Sequence, residues 1–90
     1  MDIRYPALLT PQDSGGYCVQ FVDLEEAFTE GETLEEALFN ASEALTLTLD
    51  GRLDEGQSIP DPSVIDDAYA IAPSARLQAA LGKRLIIAFE

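Results

Sequence analysis

Thr33 to Gly56, TLEEALFNASEALTLTLDGRLDEG, is the stretch whose reading decides the fold. Thr33 followed by Glu36 is a capping box: the Thr hydroxyl accepts from the N3 amide and the Glu reaches back to the N-cap amide. Glu35 and Glu36 place negative charge in the first turn, where the helix dipole favours it. Leu34, Ala37, Leu38, Ala41, Leu45 and Leu49 recur at helical spacing and share one face. No Pro interrupts the run. Gly51 costs about 1 kcal/mol inside a helix, so the helix is expected to end there or to continue weakly to Gly56. Phe39 and Leu47 fall away from the apolar stripe, among Glu36, Glu43 and Asp50, on a face suited to a partner or dimer contact. A helix with one buried face needs a sheet to cover it.

The flanking sequence supplies that sheet. Ile3 to Thr10 alternates as a strand. Its Pro6 cannot donate to a ladder, which predicts an edge position or an outward-facing amide. Pro11 to Gly16 is a dense turn signal, and Tyr17 to Val22 alternates again, so the two runs make an antiparallel hairpin. Ala27 to Glu30 reads as a third short strand, ended by Gly31. Beyond the helix, Ile59-Pro60-Asp61-Pro62 is an extended crossing segment, because residues before Pro avoid the helical region. Ala68 to Ala72 is the fourth strand. Ser74 caps a short helix through Leu81, with Gly82 as its C′ residue. Leu85-Ile86-Ile87-Ala88-Phe89 is expected as a last, apolar strand, which must be covered in the sheet or across a dimer. The class is therefore α+β: a small βββαβ sheet-plus-helix domain with a short C-terminal helix and strand.

Composition narrows the function. Ninety residues make one thin core. Seventeen acids against five bases give a net charge of −12, a field that repels nucleic acid and membrane surfaces and favours basic partners. All the acids but Glu90 lie in residues 1–67, where Arg4 and Arg52 are the only bases; residues 68–90 set Glu90 against Arg76, Lys83 and Arg84. The chain has no His and one cysteine, Cys18, which rules out an internal disulfide and the multi-Cys zinc patterns. Without His, neither Cys18 nor any Ser has its usual activating partner. The pairs Glu25-Glu26, Asp54-Glu55 and Asp66-Asp67 lack the spacing of a calcium loop. Gly15-Gly16 is a turn, since no helix start and no Lys follow it. No catalytic residues, metal ligands or cofactor are expected. With no signal peptide and no membrane-length apolar run, a cytoplasmic binding module is the expected class.

Several stretches together resemble the N-terminal domain of the HicB antitoxins. They are Tyr5-Pro6, Gly15-Gly16-Tyr17, Phe21-Val22-Asp23-Leu24, the run Thr29-x-Gly31-Glu32-Thr33-Leu34-Glu35-Glu36-Ala37, then Ala41, Glu43-Ala44-Leu45 and Ile59-Pro60-x-Pro62-Ser63. The resemblance spans residues 3–63. It implies a partially degraded RNase H-like fold, and a role in binding and neutralising a small basic mRNA-cleaving toxin of the HicA type. The acidic field suits that partner by occupying the place of RNA phosphate. Where many family members carry Pro-Gly-Cys, this chain has Glu25-Glu26-Ala27, so that loop is expected to bend differently. Family members usually continue into a helix-turn-helix or ribbon-helix-helix domain, and none fits here. Leu77 to Leu85 is similar to the tail that follows the helix-turn-helix in related antitoxins. Residues 1–73 are accordingly read as the toxin-binding domain and 74–90 as a helix-strand tail left after deletion of the DNA-binding helices, so no DNA binding is expected.

Charge and exposure nominate Asp23, Glu25, Glu26, Glu30, Glu32, Glu36, Phe39 and Glu43 for the toxin contact. Leu85, Ile86, Ile87 and Phe89 are nominated for oligomerisation as a homodimer or higher assembly. The alternatives are an orphan acidic oligomerisation or scaffold module that keeps the fold without a toxin, and a residual metal-dependent nuclease on the acidic edge.

Overall fold

The computed structural model describes residues 3–88, with side chains through Gly82. In chain order the elements are β1 (Tyr5–Pro11), β2 (Tyr17–Phe21), β3 (Phe28–Gly31), α1 (Leu34–Asp54), β4 (Tyr69–Ile71) and α2 (Ala75–Ala88). The four strands form one antiparallel sheet in the order β3-β2-β1-β4. This is the expected α+β domain, with one main helix on the sheet and a short C-terminal helix.

The core lies between α1 and one face of the sheet. Tyr5, Ala7, Val19, Phe21 and Ile71 point inward from the strands, and Ala37, Ala41, Leu45 and Leu49 meet them from the helix, all nearly or wholly buried. Leu38 packs at the margin of this cluster. Leu34, at 38% exposure, falls outside it: as the first helical residue it projects beyond the sheet's cover.

Helix α1 runs through Gly51 and stops at a hydrogen-bonded C-terminal motif. The Gly56 amide donates to Leu53 O and the Gln57 amide to Arg52 O, with Gly56 at φ 71°. This is the Schellman arrangement, in which a residue in the left-handed region turns the chain away and its neighbours satisfy the last carbonyls.

Two sequence expectations are corrected. Pro6 allowed an edge position or an outward-facing amide, and the edge is excluded: β1 is interior, paired with both β2 and β4. The Pro6 carbonyl accepts from the Val22 amide at 3.1 Å. The missing Pro6 donor would point to that same side, beside a β2 strand that ends at Phe21, so the sheet loses one bond at the end of a ladder. Secondly, Gly82 does not end α2, and Leu85 to Ala88 continue the helix where a strand was expected. Ser74 does cap that helix, its Oγ accepting from the Leu77 amide at 3.2 Å. Leu77 and Leu81 turn into the core. An apolar run of this length fits strand and helix alike, and here the helical phase set by Leu77 and Leu81 carries on. Phe89 lies outside the described residues.

Candidate functional site

The start of α1 is fixed by close backbone contact. A Cβ on Gly31 would sit 2.4 Å from the Ala37 amide nitrogen and 2.6 Å from its Cα, so only glycine lets β3 run this tightly into the helix. The Thr33 hydroxyl accepts from the Glu36 amide at 3.1 Å. The Glu36 carboxylate accepts from the Glu32 amide at 3.1 Å, one residue upstream of the capping box read from the sequence. The approach at Gly31 brings that amide over the first turn.

Beside this junction lies an open groove of about 620 Å³, lined by Gln12, Ser14, Gly15, Gly16, Glu30, Gly31, Glu32 and Glu36. The β1–β2 turn forms one wall; the end of β3 and the first turn of α1 form the other. Gln12 Nε2 donates to Glu30 Oε2 at 3.3 Å. Asn40 Nδ2 donates to the Glu30 carbonyl at 2.9 Å and so blunts the β3 edge. The three groove carboxylates are exposed and form no metal-ligand cluster among the described residues. Carboxylates around an open groove are hydrogen-bond acceptors that suit a cationic donor. Along the exposed side of α1 the acidic surface continues past Phe39, 63% exposed, and Glu43 to Leu47, 73% exposed.

The opposite end of the sheet uses its acids internally. Arg52 holds Glu26 in a bidentate pair, Nε to Oε2 at 2.8 Å and Nη2 to Oε1 at 3.0 Å, and donates to Ser58 O. That hydrogen bonding holds the Glu26 carboxyl below the usual range and raises the Arg52 guanidinium. Asp23 accepts from the Ser63 amide and hydroxyl. Tyr5 Oη donates to Pro60 O at 2.6 Å, and burial, with Asp23 and Asp61 nearby, raises its pKa. Together these contacts strap residues 57–63 across the exit of α1.

The nominated contact residues therefore divide. Glu30, Glu32 and Glu36 come together in the groove, with Phe39 and Glu43 further along the same helix. Asp23, Glu25 and Glu26 lie at the far end, in the β2–β3 turn, and two of them are engaged in the strap. Leu85, Ile86 and Ile87 fall on α2, beyond the described side chains. Sequence reasoning missed Gln12 and Ser14 as groove walls. Their signal was the Pro11–Gly16 turn, which antiparallel pairing of β1, β2 and β3 carries to the helix start.

Comparison with known proteins decides the family. Residues 4–74 match the model described as HicB_like antitoxin of bacterial toxin-antitoxin system. The chain belongs to the HicB-like antitoxin family. It is similar to Antitoxin HicB of Escherichia coli (strain K12), 45% identical over 64 residues, 71% of this chain and 46% of that protein. Antitoxin HicB 1 of Photorhabdus laumondii is 39% identical over 72 residues, 80% of this chain and 46% of the relative. Antitoxin HicB 2 of the same organism is 36% identical over 74 residues, covering 82% and 52%. The chain thus spans about half the length of the curated HicB relatives it matches. The match takes in the groove, all of α1 and the strap.

Proposed function

We propose that this HicB-like chain is an antitoxin that binds and neutralises a HicA-type mRNA-cleaving toxin in the cytoplasm, without catalysis of its own. The observation that carries the reading is the family match over residues 4–74. The acidic groove and the outer side of α1 support it physically. A toxin that binds RNA presents a basic surface, and carboxylates spread along one side of the domain complement it and cover the place of RNA phosphate. Glu32 and Glu43 are exposed and unpaired among the described residues, so they are free for intermolecular pairing. Asp23 and Glu26, already engaged in the strap, contribute to the field more than to direct contact. Residues 1–73 carry the toxin-binding surface and 74–90 form a tail that binds no DNA.

The test is co-expression with a basic, HicA-type protein encoded beside the gene, followed by co-purification and an RNA-cleavage assay. A complex that suppresses cleavage is expected, weakened by Glu32→Lys with Glu43→Lys and by added salt, because exposed charge pairs are screened. No complex at about micromolar concentration, the range in which partly charged interfaces of ordinary size are populated, would overturn the reading.

A further inference from the structure

Every hydrogen bond that ties residues 58–63 to the body of the domain ends on an ionisable side chain. Arg52 Nη1 donates to Ser58 O at 3.0 Å, and Tyr5 Oη donates to Pro60 O at 2.6 Å. The Asp23 carboxylate accepts from the Ser63 amide at 2.9 Å and from the Ser63 hydroxyl. Among the described residues, none of residues 58–63 makes a backbone–backbone hydrogen bond. Ile59 packs against the core, while Asp61, Pro62 and Ser63 are exposed. Past Ser63 the chain stays exposed until Ala68, with Val64 at 99% and Asp67 turned through φ 63°, and it then enters β4. Among the described residues, the Asp23–Ser63 contact is the last side-chain anchor before the edge strand.

That anchor has a rigid socket. Gln20 Nε2 lies 3.0 Å from Phe21 O, 3.4 Å from Leu24 O, 3.3 Å from Glu25 O and 3.3 Å from Ala27 O. One side-chain amide thus gathers the carbonyls of the β2–β3 turn, and Leu24 and Ala27 bury its inner side. The carboxylate is held firmly and the segment it holds is not.

We infer that residues 61–68 are a flap, hinged at Pro60 and latched at Ser63, which acid releases together with β4. The two ends respond to protons differently. At the latch, one carboxylate oxygen takes the amide and the other takes the hydroxyl. A protonated carboxyl keeps an acceptor for one of them and turns its other oxygen into a donor. Beside it, Glu26 loses its bidentate hold on Arg52 when protonated, at a lower pH than an ordinary glutamate because those hydrogen bonds favour the charged form. At the hinge, the Tyr5 hydroxyl and the Arg52 guanidinium keep their protons throughout acid and go on donating to Pro60 O and Ser58 O. The ionisable groups around the flap are Asp23 and Glu26 from the turn, Arg52 from α1, Tyr5 from β1 and the flap's own Asp61.

Repulsion works the other way. The flap carries Asp61, Asp66 and Asp67, and acid removes their repulsion from the carboxylates of the turn. Between exposed charges that repulsion is screened over about 10 Å at about 0.1 M salt, whereas charge-assisted hydrogen bonds are roughly twice as strong as neutral ones. Loss of the latch sets the sign. Release stays local, because Ile71 is the one buried side chain of β4. The groove at the other end of the sheet is fixed by the close approach of Gly31 to Ala37 and takes no part. The flap works whether or not a toxin binds.

The experiment is amide hydrogen exchange of the full chain by NMR at about pH 6.5 and about pH 3, either side of the range in which carboxylates ordinarily titrate. Each rate is divided by that of the unstructured chain at the same pH. In acid, protection of the Ser63 and β4 amides should fall by about tenfold or more, the loss of a hydrogen bond to a charged group. Protection of Ala41 to Leu49 and of the β1–β2 pairing should change by less than about threefold, as local opening requires. Asp23→Asn keeps one acceptor oxygen and no charge, so it should open the flap at neutral pH and flatten the acid step. Tyr5→Phe acts at the hinge and should leave that step in place. Should acid precipitate the chain, Asp23→Asn at neutral pH decides alone; its helical circular dichroism reports whether it folds, and Ser63→Ala serves if it does not. Protection lost everywhere together in acid overturns the inference. So does a latch variant whose β4 is as protected as the parent's, or an acid step that Tyr5→Phe abolishes.

Discussion

Gly31→Ala tests the joint on which the helix start and the groove both depend. The added Cβ meets the Ala37 amide nitrogen at 2.4 Å, the Ala37 Cα at 2.6 Å and the Glu36 carbonyl carbon at 2.9 Å. All three are backbone atoms, so no side chain can swing aside, and β3 must separate from the first turn of α1. Overpacking of this kind costs about 1–3 kcal/mol, and rigid neighbours place it near the upper end, at about 3 kcal/mol. In a domain this small each kcal/mol moves Tm by about 4–8 °C, so a fall of about 12–24 °C is expected. Gly51→Ala is the internal control. It lies in the same helix with nothing within 4 Å of its Cβ position. There alanine should stabilise by about 1 kcal/mol and raise Tm by about 4–8 °C. The assay is thermal unfolding of both variants, followed at the helical band and repeated in urea to check that the slope is unchanged. A Gly31→Ala chain that melts within a few degrees of the parent would refute the contact, as would two variants that shift together.

Leu45→Ala, at a fully buried position, should cost about 2–5 kcal/mol. Leu47→Ala, 73% exposed two residues later, should stay within about 0.5 kcal/mol in the same urea titration. Tyr5→Phe removes the donor to Pro60 O and should cost about 1 kcal/mol at neutral pH. Because the folded Tyr5 pKa is raised above the ordinary tyrosine value of 10.0, mainly by burial, its contribution is whole below that pH and is lost as pH rises through the folded value; the gap between parent and variant should close only in alkali. Arg52→Ala runs the other way. The Arg52 hydrogen bonds hold the folded Glu26 pKa below the ordinary glutamate value of 4.5, so the pair stabilises above that pH and fades as pH falls through the folded value. The pair is partly exposed, so its loss should cost less than about 1 kcal/mol, shrink in salt, and diminish further in melts at about pH 3.

What could be read from the sequence was what neighbours in the chain decide. The Thr33 cap, the buried faces of Ala37, Ala41, Leu45 and Leu49, the exposure of Phe39 and Leu47, and the first hairpin all follow from spacing and turn chemistry. Strand order was harder, because β4 returns from beyond the helix to flank β1, and Pro6 alone pointed to an edge. The Gly82-Lys83-Arg84 stop signal at α2 was local and lost to the continuing helical phase. Asp23 to Glu32 looked like one acidic region because it is continuous in sequence. The β2–β3 hairpin carries its two ends to opposite ends of the sheet, a separation that composition cannot show. Nor could the sequence reveal that Glu26 and Asp23 are held by Arg52 and Ser63, which lie 26 and 40 residues further on.

Strand β4 has one more consequence. It is three residues long, and Ile71 is its only buried side chain. Its exit is held by Ser42 Oγ donating to Ala72 O at 2.7 Å and by the Ser74 amide donating to Thr46 Oγ1 at 2.9 Å. Few bonds must break for it to lift, and lifting it bares Tyr5 and Ala7 and loosens the seat of Leu77. Local opening follows such thinly held edges well before global unfolding. The cheapest opening of this domain is therefore at its fourth strand, where a protease would first find extended chain while the hairpin and the long helix remain folded.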